Sequence, residues 1–295
     1  MAHAKPVTSQ ASKHQGKIHV IGMAHINDRP NLLELARKLD DIIDSEGEYT
    51  ICFELPKGQK SKKFIRKAIA QAERNGPPHS DDFFSGIFWE FSRLYKRGVD
   101  VEPIDRRQIA FLPELILVRL ATSGLAEQIQ KDKYSKLTFE GAEKLTVEAR
   151  SSASSARFRE RLLDRRNEKM LENIAELRRR DPERSLVVMV GAAHADHMAS
   201  RLSKSNASVE VYMTPRTRAM IKIDEEGTAA STGGWASAGD KLAIAKLTVL
   251  DTANIVFGAD RALEHVSLIS SLRSREEAEK LFYFMQLSLK NQVCA

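Results

Sequence analysis

The side chains in this chain best suited to chemistry stand just past runs of apolar β-formers. Ser185 to Met198 reads SLVVMVGAAHADHM, an apolar run that stops at Gly191 and is followed by His194. Lys17 to Asp28 reads KIHVIGMAHIND, where a second run stops at Gly22 with His25 three residues on. YTICFEL, Tyr49 to Leu55, delivers Glu54, and VDVEPID ends on Asp105. Neutral imidazole and carboxylate oxygen are ordinary ligands of a divalent metal such as Mn²⁺, Co²⁺ or Zn²⁺, with an open position left for water. A metal bound there lowers the pKa of that water towards about 7. Without a metal, His25 or His194 paired with Glu54 can act as the base for water attack. His197 follows His194 by about one helical turn and shares its face, which adds it to the candidate ligands His25, Glu54 and His194.

A second constellation is LLDRRNEKMLENIAELRRR, Leu162 to Arg180. Leu163, Met170, Ile174 and Leu177 make one apolar stripe at helical spacing, and Arg166 and Asn167 fall on or beside it. A guanidinium or amide facing a core is costly without partners. Arg166 can stabilise an oxyanion or grip a carboxylate in bidentate geometry, and Asn167 and Asp105 are candidates for binding substrate. Each residue also has a purely structural explanation. A single histidine is often a satisfied core side chain, and Glu54 can serve a helix N-terminus as cap or dipole partner. Asp105 can pair with its neighbours Arg106 and Arg107. Arg166 and Asn167 can simply continue the basic face of Arg157, Arg159, Arg161 and Arg165.

These residues need a scaffold that brings chain segments far apart in sequence to one place. Strands buried on both faces are nearly continuous in Val, Ile and Leu, and in parallel sheets ligands sit beyond their carboxyl ends. The glycines at the run ends permit turns that a Cβ would block. Between the strands, NLLELARKLDDIIDS from Asn31 has helical spacing, Lys60 to Arg74 is a basic amphipathic helix, and Asp81 to Arg97 is an aromatic-rich helix read as core. The expected fold class is α/β, a largely parallel sheet built from two strand-helix repeats with Gly-x-x-His motifs, a large helical insertion and a helical C-terminal region. Residues 1–16 are polar and read as a disordered tail. Residues 17–215 form the α/β domain with its helical insertion at 111–180, and 216–295 form a mostly helical extension with a flexible Gly/Ser/Ala loop at 227–239.

The composition narrows the function classes. At 295 residues the chain can bury a sizeable core. Its net charge is +6 and its pI about 9.2, yet both signs of charge are interspersed, which describes a solvated surface better than a nucleic-acid footprint. No motif interleaves aromatics with base-reading side chains, so no specific nucleic-acid partner is expected. Cys52 and Cys294 are the two cysteines, which suits a reducing, cytoplasmic compartment rather than a disulfide framework. The N-terminus has no apolar core of a signal peptide, and the longest apolar run, Phe111 to Leu120, is interrupted by Pro113, Glu114 and Arg119. Neither a leader nor a membrane span is expected.

GMAH at Gly22 to His25, FEL with Glu54, LLDRRNEKMLENI from Leu162 and GAAH at Gly191 to His194 occur in that order. The set resembles the TraB/PrgY/GumN family and its animal relatives the TIKI proteins, in a superfamily with erythromycin esterase and the ChaN haem-binding lipoproteins. The resemblance spans roughly Lys17 to Pro215 and matches His25, Glu54, Arg166, Asn167 and His194 to family motif positions. It implies chemistry of more than one kind: divalent-metal-dependent proteolysis in the TIKI proteins, lactone hydrolysis by a histidine and a glutamate in erythromycin esterase, and inhibition of peptide pheromone signalling in TraB/PrgY members. Many relatives carry a glycine soon after the second histidine, where this chain has Ala195-Asp196-His197-Met198, and several carry a membrane segment. The functional expectation is a metal-dependent hydrolase cleaving a peptide or small ester at His25, Glu54, Arg166 and His194. The alternative is a non-catalytic binding or regulatory protein that holds a haem, metal or peptide in the same pocket.

Overall fold

The computed structural model describes residues 16–24, 29–45, 48–78, 83–105, 136–151, 163–204, 208–233, 237–257 and 259–293. His25, residues 1–15, and residues 111–135 and 152–162 of the helical insertion lie outside the described residues.

Five strands form one sheet: β1 Ile18–Met23, β2 Tyr49–Pro56, β3 Asp100–Asp105, β4 Ser185–Gly191 and β5 Val209–Met213. They lie in the order β3-β2-β4-β1-β5, and every pairing is parallel. The α/β expectation holds, and the apolar runs are the strands.

Each strand sends alternate side chains to opposite faces, and the two faces are covered by different helices. On one face Ile21, Tyr49, Ile51, Phe53, Val187 and Met189 pack against α1 Arg29–Ser45, α2 Gln59–Asn75 and α3 Phe83–Tyr95. Phe53, Phe88 and Phe91 meet edge to face, with ring centroids 5.0–6.2 Å apart, so these aromatics of α3 are core. On the other face Val20, Cys52, Leu186, Val188 and Val190 pack against α5 Arg165–Arg180 and α6 Ala192–Ser203. Burial pushes the Cys52 thiol up, well away from its reactive thiolate form.

A separate apolar cluster is built from α4 Phe139–Ser151, α7 Pro215–Gly233, α8 Ala238–Phe257, α9 Ala259–Ser271 and α10 Arg275–Val293, and it includes Ala24 just past β1. The helical insertion is thus split in its packing. Its α5 lies on the sheet, whereas α4 joins the C-terminal helices. Arg150 of α4 donates to Asp224 of α7 at 2.6 Å and to Asp251 of α8 at 2.7 Å, and Glu143 accepts a forked pair of bonds from Arg275. Burial raises the Asp251 carboxyl, an effect opposed by the Arg150 charge.

The stretch 227–239, expected as a loop, is helical through Gly233, while 234–236 lie outside the described residues. The reason is helix contact. A Cβ on Gly227 would come within 2.5 Å of Leu247 Cβ and 3.0 Å of the Ala243 carbonyl, and Gly227, Ala230 and Ser231 are buried. Small residues here let α7 and α8 approach closely. No helix among the described residues is long and apolar enough to cross a membrane.

Candidate functional site

The strand order makes a crevice where the chain leaves neighbouring strands in opposite directions. After β2 the chain moves outward to β3 by way of α2 and α3 on one face. After β4 it moves the other way to β5 by way of α6 on the opposite face. Connections that diverge from adjacent strands leave a gap beyond their carboxyl ends, the usual position for a ligand in such sheets. Glu54 stands near the end of β2, and His194 stands in the first turn of α6, just past β4.

Glu54, Asp105, Arg166, Asn167 and His194 converge there. Glu54 and His194 side chains are each only 5% exposed and Asp105 is 1% exposed. Arg166 binds Asp105 through Nε at 3.1 Å and Nη2 at 2.6 Å, and Nη2 also donates to Glu54 Oε1. Of the two roles open to Arg166, the geometry is that of gripping carboxylates. Burial alone would lower the guanidinium pKa, but its bonds to Asp105 and the charge of Glu54 outweigh this and hold it above its ordinary value. The positive charge sits in the first turn of α5, where the helix dipole opposes it, and the two carboxylates offset that cost.

Glu54 Oε2 accepts the backbone N–H of Gly191, the residue that starts α6. The helix-cap role for Glu54 is therefore present in the geometry alongside any chemical one. Gly191 has φ −53°, which any residue can adopt, so this glycine is explained by space. A Cβ would lie 3.2 Å from Glu54 Oε2 and 3.5 Å from His194 Cδ2. At Gly22, opposite Val190 in β4, a Cβ would lie 2.8 Å from Met213 Cγ and 2.9 Å from Ala195 Cβ, so the glycine lets α6 settle on β1.

His194 Nδ1 lies 2.7 Å from Asn167 Oδ1. Taking that oxygen as the acceptor assigns the ring proton to Nδ1, and Nε2 then turns its lone pair towards Glu54 Oε1, 3.6 Å away.

Two residues not singled out in the sequence support this arrangement. Asn173, two turns beyond Arg166 on α5 and buried, donates Nδ2–H to the Ile104 carbonyl at 2.7 Å and accepts from Lys57 Nζ at 3.1 Å. The Lys57 backbone N–H donates to the Asp105 carbonyl at 2.8 Å, and its ammonium also pairs with Glu176. Lys57 and Asn173 thereby tie the ends of β2 and β3 to the helix that carries Arg166. The signal for Asn173 was the one that marked Asn167: an amide on an apolar stripe, between Met170 and Ile174.

His25 lies outside the described residues. Met23 of β1 is opposite Gly191. His197 is exposed on α6, whereas His194 is buried. Among the described residues no three His, Cys, Asp or Glu side chains are grouped to hold a metal ion. Glu54 and His194 supply two facing donors, and the Arg166 charge against Glu54 and Asp105 opposes a dication at the same carboxylates. The described donor set alone does not fit a metal.

A model of the TraB/PrgY/gumN family matches residues 122–210, a span that holds Arg166, Asn167 and His194. No curated protein and no solved structure matches the chain.

Proposed function

We propose, from the TraB/PrgY/gumN resemblance borne out at family level over residues 122–210, that this chain is a hydrolase. His194 and Glu54 activate a water to cleave a peptide or ester bond. The observation that carries the proposal is the chain of contacts from Asn167 through His194 to Glu54. Asn167 holds the ring at 2.7 Å and directs Nε2 to 3.6 Å from the carboxylate. That separation is too long for a direct hydrogen bond, and a water between the two acceptors can donate to both.

In the proposed reaction, a proton passes from the water to His194 Nε2 as the water oxygen bonds to the substrate carbonyl carbon. The imidazolium then returns that proton to the departing amine or alkoxide as the carbonyl–heteroatom bond breaks. Glu54 stabilises the imidazolium by its charge, Asn167 keeps Nδ1–H in place, and Arg166 keeps Glu54 aligned between itself and the Gly191 N–H. A divalent metal would draw on Glu54 and His194, with His25 as the further donor nominated by the sequence. It would supply a more acidic water, and no step above depends on it.

One specific observation favours the binding-only alternative. Arg166 already satisfies both carboxylates, an arrangement that can hold a ligand pocket or a fold together without turnover. The deciding experiment is a broad peptidase and esterase screen of the full chain, run with chelator and with Mn²⁺, Co²⁺ or Zn²⁺ added. Glu54→Gln and His194→Ala should each lose about 10² to 10⁴-fold in turnover while the circular dichroism spectrum stays native. A hydrolytic activity that Glu54→Gln leaves unchanged would remove Glu54 from the mechanism. Ligand binding that both variants retain, with no substrate turned over, would favour the binding protein.

A further inference from the structure

On the sheet face opposite α5 and α6, α2 and α3 enclose a surface groove of about 440 Å³ lined by Phe64, Ala68, Ala72, Pro77, Phe84 and Phe88, among others. Phe64 is 53% exposed and Phe84 47% exposed, although Phe64 already meets Phe88 edge to face at 5.7 Å. Half-exposed aromatics around a concave apolar floor mark a surface built for contact.

Among the described residues, one strip of α2 beside the groove carries charge of a single sign. On α2, Ile65 and Ile69 face the core, and helical spacing puts Phe64, Ala68 and Gln71 on the groove side. The next strip round the same helix carries Lys60, Lys63, Lys67 and Arg74, with Arg66 beyond them, all exposed. Lys62 pairs with Glu102 and Glu73 pairs with Lys96, but among the described residues no ion pair reaches those five cations. A merely solvated basic face explains the lysines but not the half-exposed position of Phe64 and Phe84 beside them.

We propose that this groove docks an acidic amphipathic segment of a partner protein. The segment lays apolar side chains at helical spacing into the groove and carboxylates along the basic strip. Charge complementarity sets the sign of the partner, and the one-sided strip sets its orientation. Concavity favours a peptide over an anionic membrane. A groove between two helices accepts the side chains of a third, while a bilayer needs a convex apolar ridge flanked by basic residues on both sides.

The test selects randomised peptides of about 12 residues by display on the immobilised full-length chain, and measures the enriched peptides by fluorescence anisotropy. Enriched sequences should combine aromatic or aliphatic residues at helical spacing with several acids. Lys63→Glu/Lys67→Glu and, separately, Phe64→Ser should each weaken binding about tenfold or more, and binding of the wild type should fall as salt rises. The lysine pair is exposed and its thermal melt should match the wild type, while Phe64→Ser also loses its contact with Phe88 and should keep a native circular dichroism spectrum. The proposal is overturned if no peptide is enriched, if enriched peptides lack the acidic signature, or if they bind both variants as well as the wild type. Sedimentation with vesicles rich in anionic lipid supplies the other arm. Binding to vesicles that the same variants abolish, without peptide binding, would assign the surface to membranes instead.

Discussion

Arg166→Met separates the energetic role of the buried ion cluster from its chemical one. The substitution keeps much of the apolar stem and removes the guanidinium, leaving Glu54 at 5% exposure and Asp105 at 1% without the cation that both contact. Removing one partner of a buried pair costs about 3–5 kcal/mol, because the remaining charge stays buried and uncompensated. Glu54 keeps the Gly191 N–H and both carboxylates have further contacts, so the lower part of that range applies. The melting temperature at neutral pH should fall by on the order of 10 °C. Arg166→Lys keeps the charge but loses the fork that serves two carboxylates at once, and should fall between. Arg166→Met/Glu54→Gln/Asp105→Asn removes all three charges and should recover most of the loss. The assay is thermal unfolding followed by far-ultraviolet circular dichroism at low and high salt, and the difference should be nearly independent of salt, as expected for buried charges. An Arg166→Met protein that melts within about 2 °C of the wild type would refute the argument that this cation holds the carboxylates in place.

Two further outcomes follow from close contacts. Gly227→Val should destabilise by about 1–3 kcal/mol through overpacking. Leu247→Ala should recover only part of that in a chemical unfolding experiment, since a Cβ at 227 also meets the Ala243 carbonyl. Full stability of the valine variant would contradict close packing of α7 on α8. Asn173→Leu leaves the Ile104 carbonyl without its donor and should cost about 1–3 kcal/mol. If Asn173 positions Arg166, it should also lower kcat more than it raises KM for any substrate found, a split that a purely structural role would not produce.

The strands and the residues at their ends were legible because strands buried on both faces write themselves as unbroken apolar runs, and a carboxylate or imidazole at the end of such a run has few reasons to be there. Arg166 and Asn167 were legible as polar residues on an apolar helix stripe. Strand order was not legible. Nothing local to Ser185–Gly191 says that it inserts between β1 and β2, and the crevice at Glu54 depends on that insertion. The helix through Gly227 was hidden for a related reason: a run of Gly, Ser and Ala reads as a loop until Leu247 is seen packing where a larger side chain would stand. Lys57 showed no sign at all, because its importance lies in the strand end it fastens, and a surface lysine has no pattern to betray that.

The place of β4 in the sheet has a consequence for how the protein comes into being. β1 and β2 do not pair with each other; each pairs with β4, which is made some 130 residues after β2. At ordinary rates of synthesis this interval is on the order of 10 s. Throughout it the nascent chain carries two apolar strands whose inner edges have no partner, the arrangement most prone to pairing with other chains. The Glu54–His194 contact, joining residues on either side of that interval, is among the last features of the sheet to form.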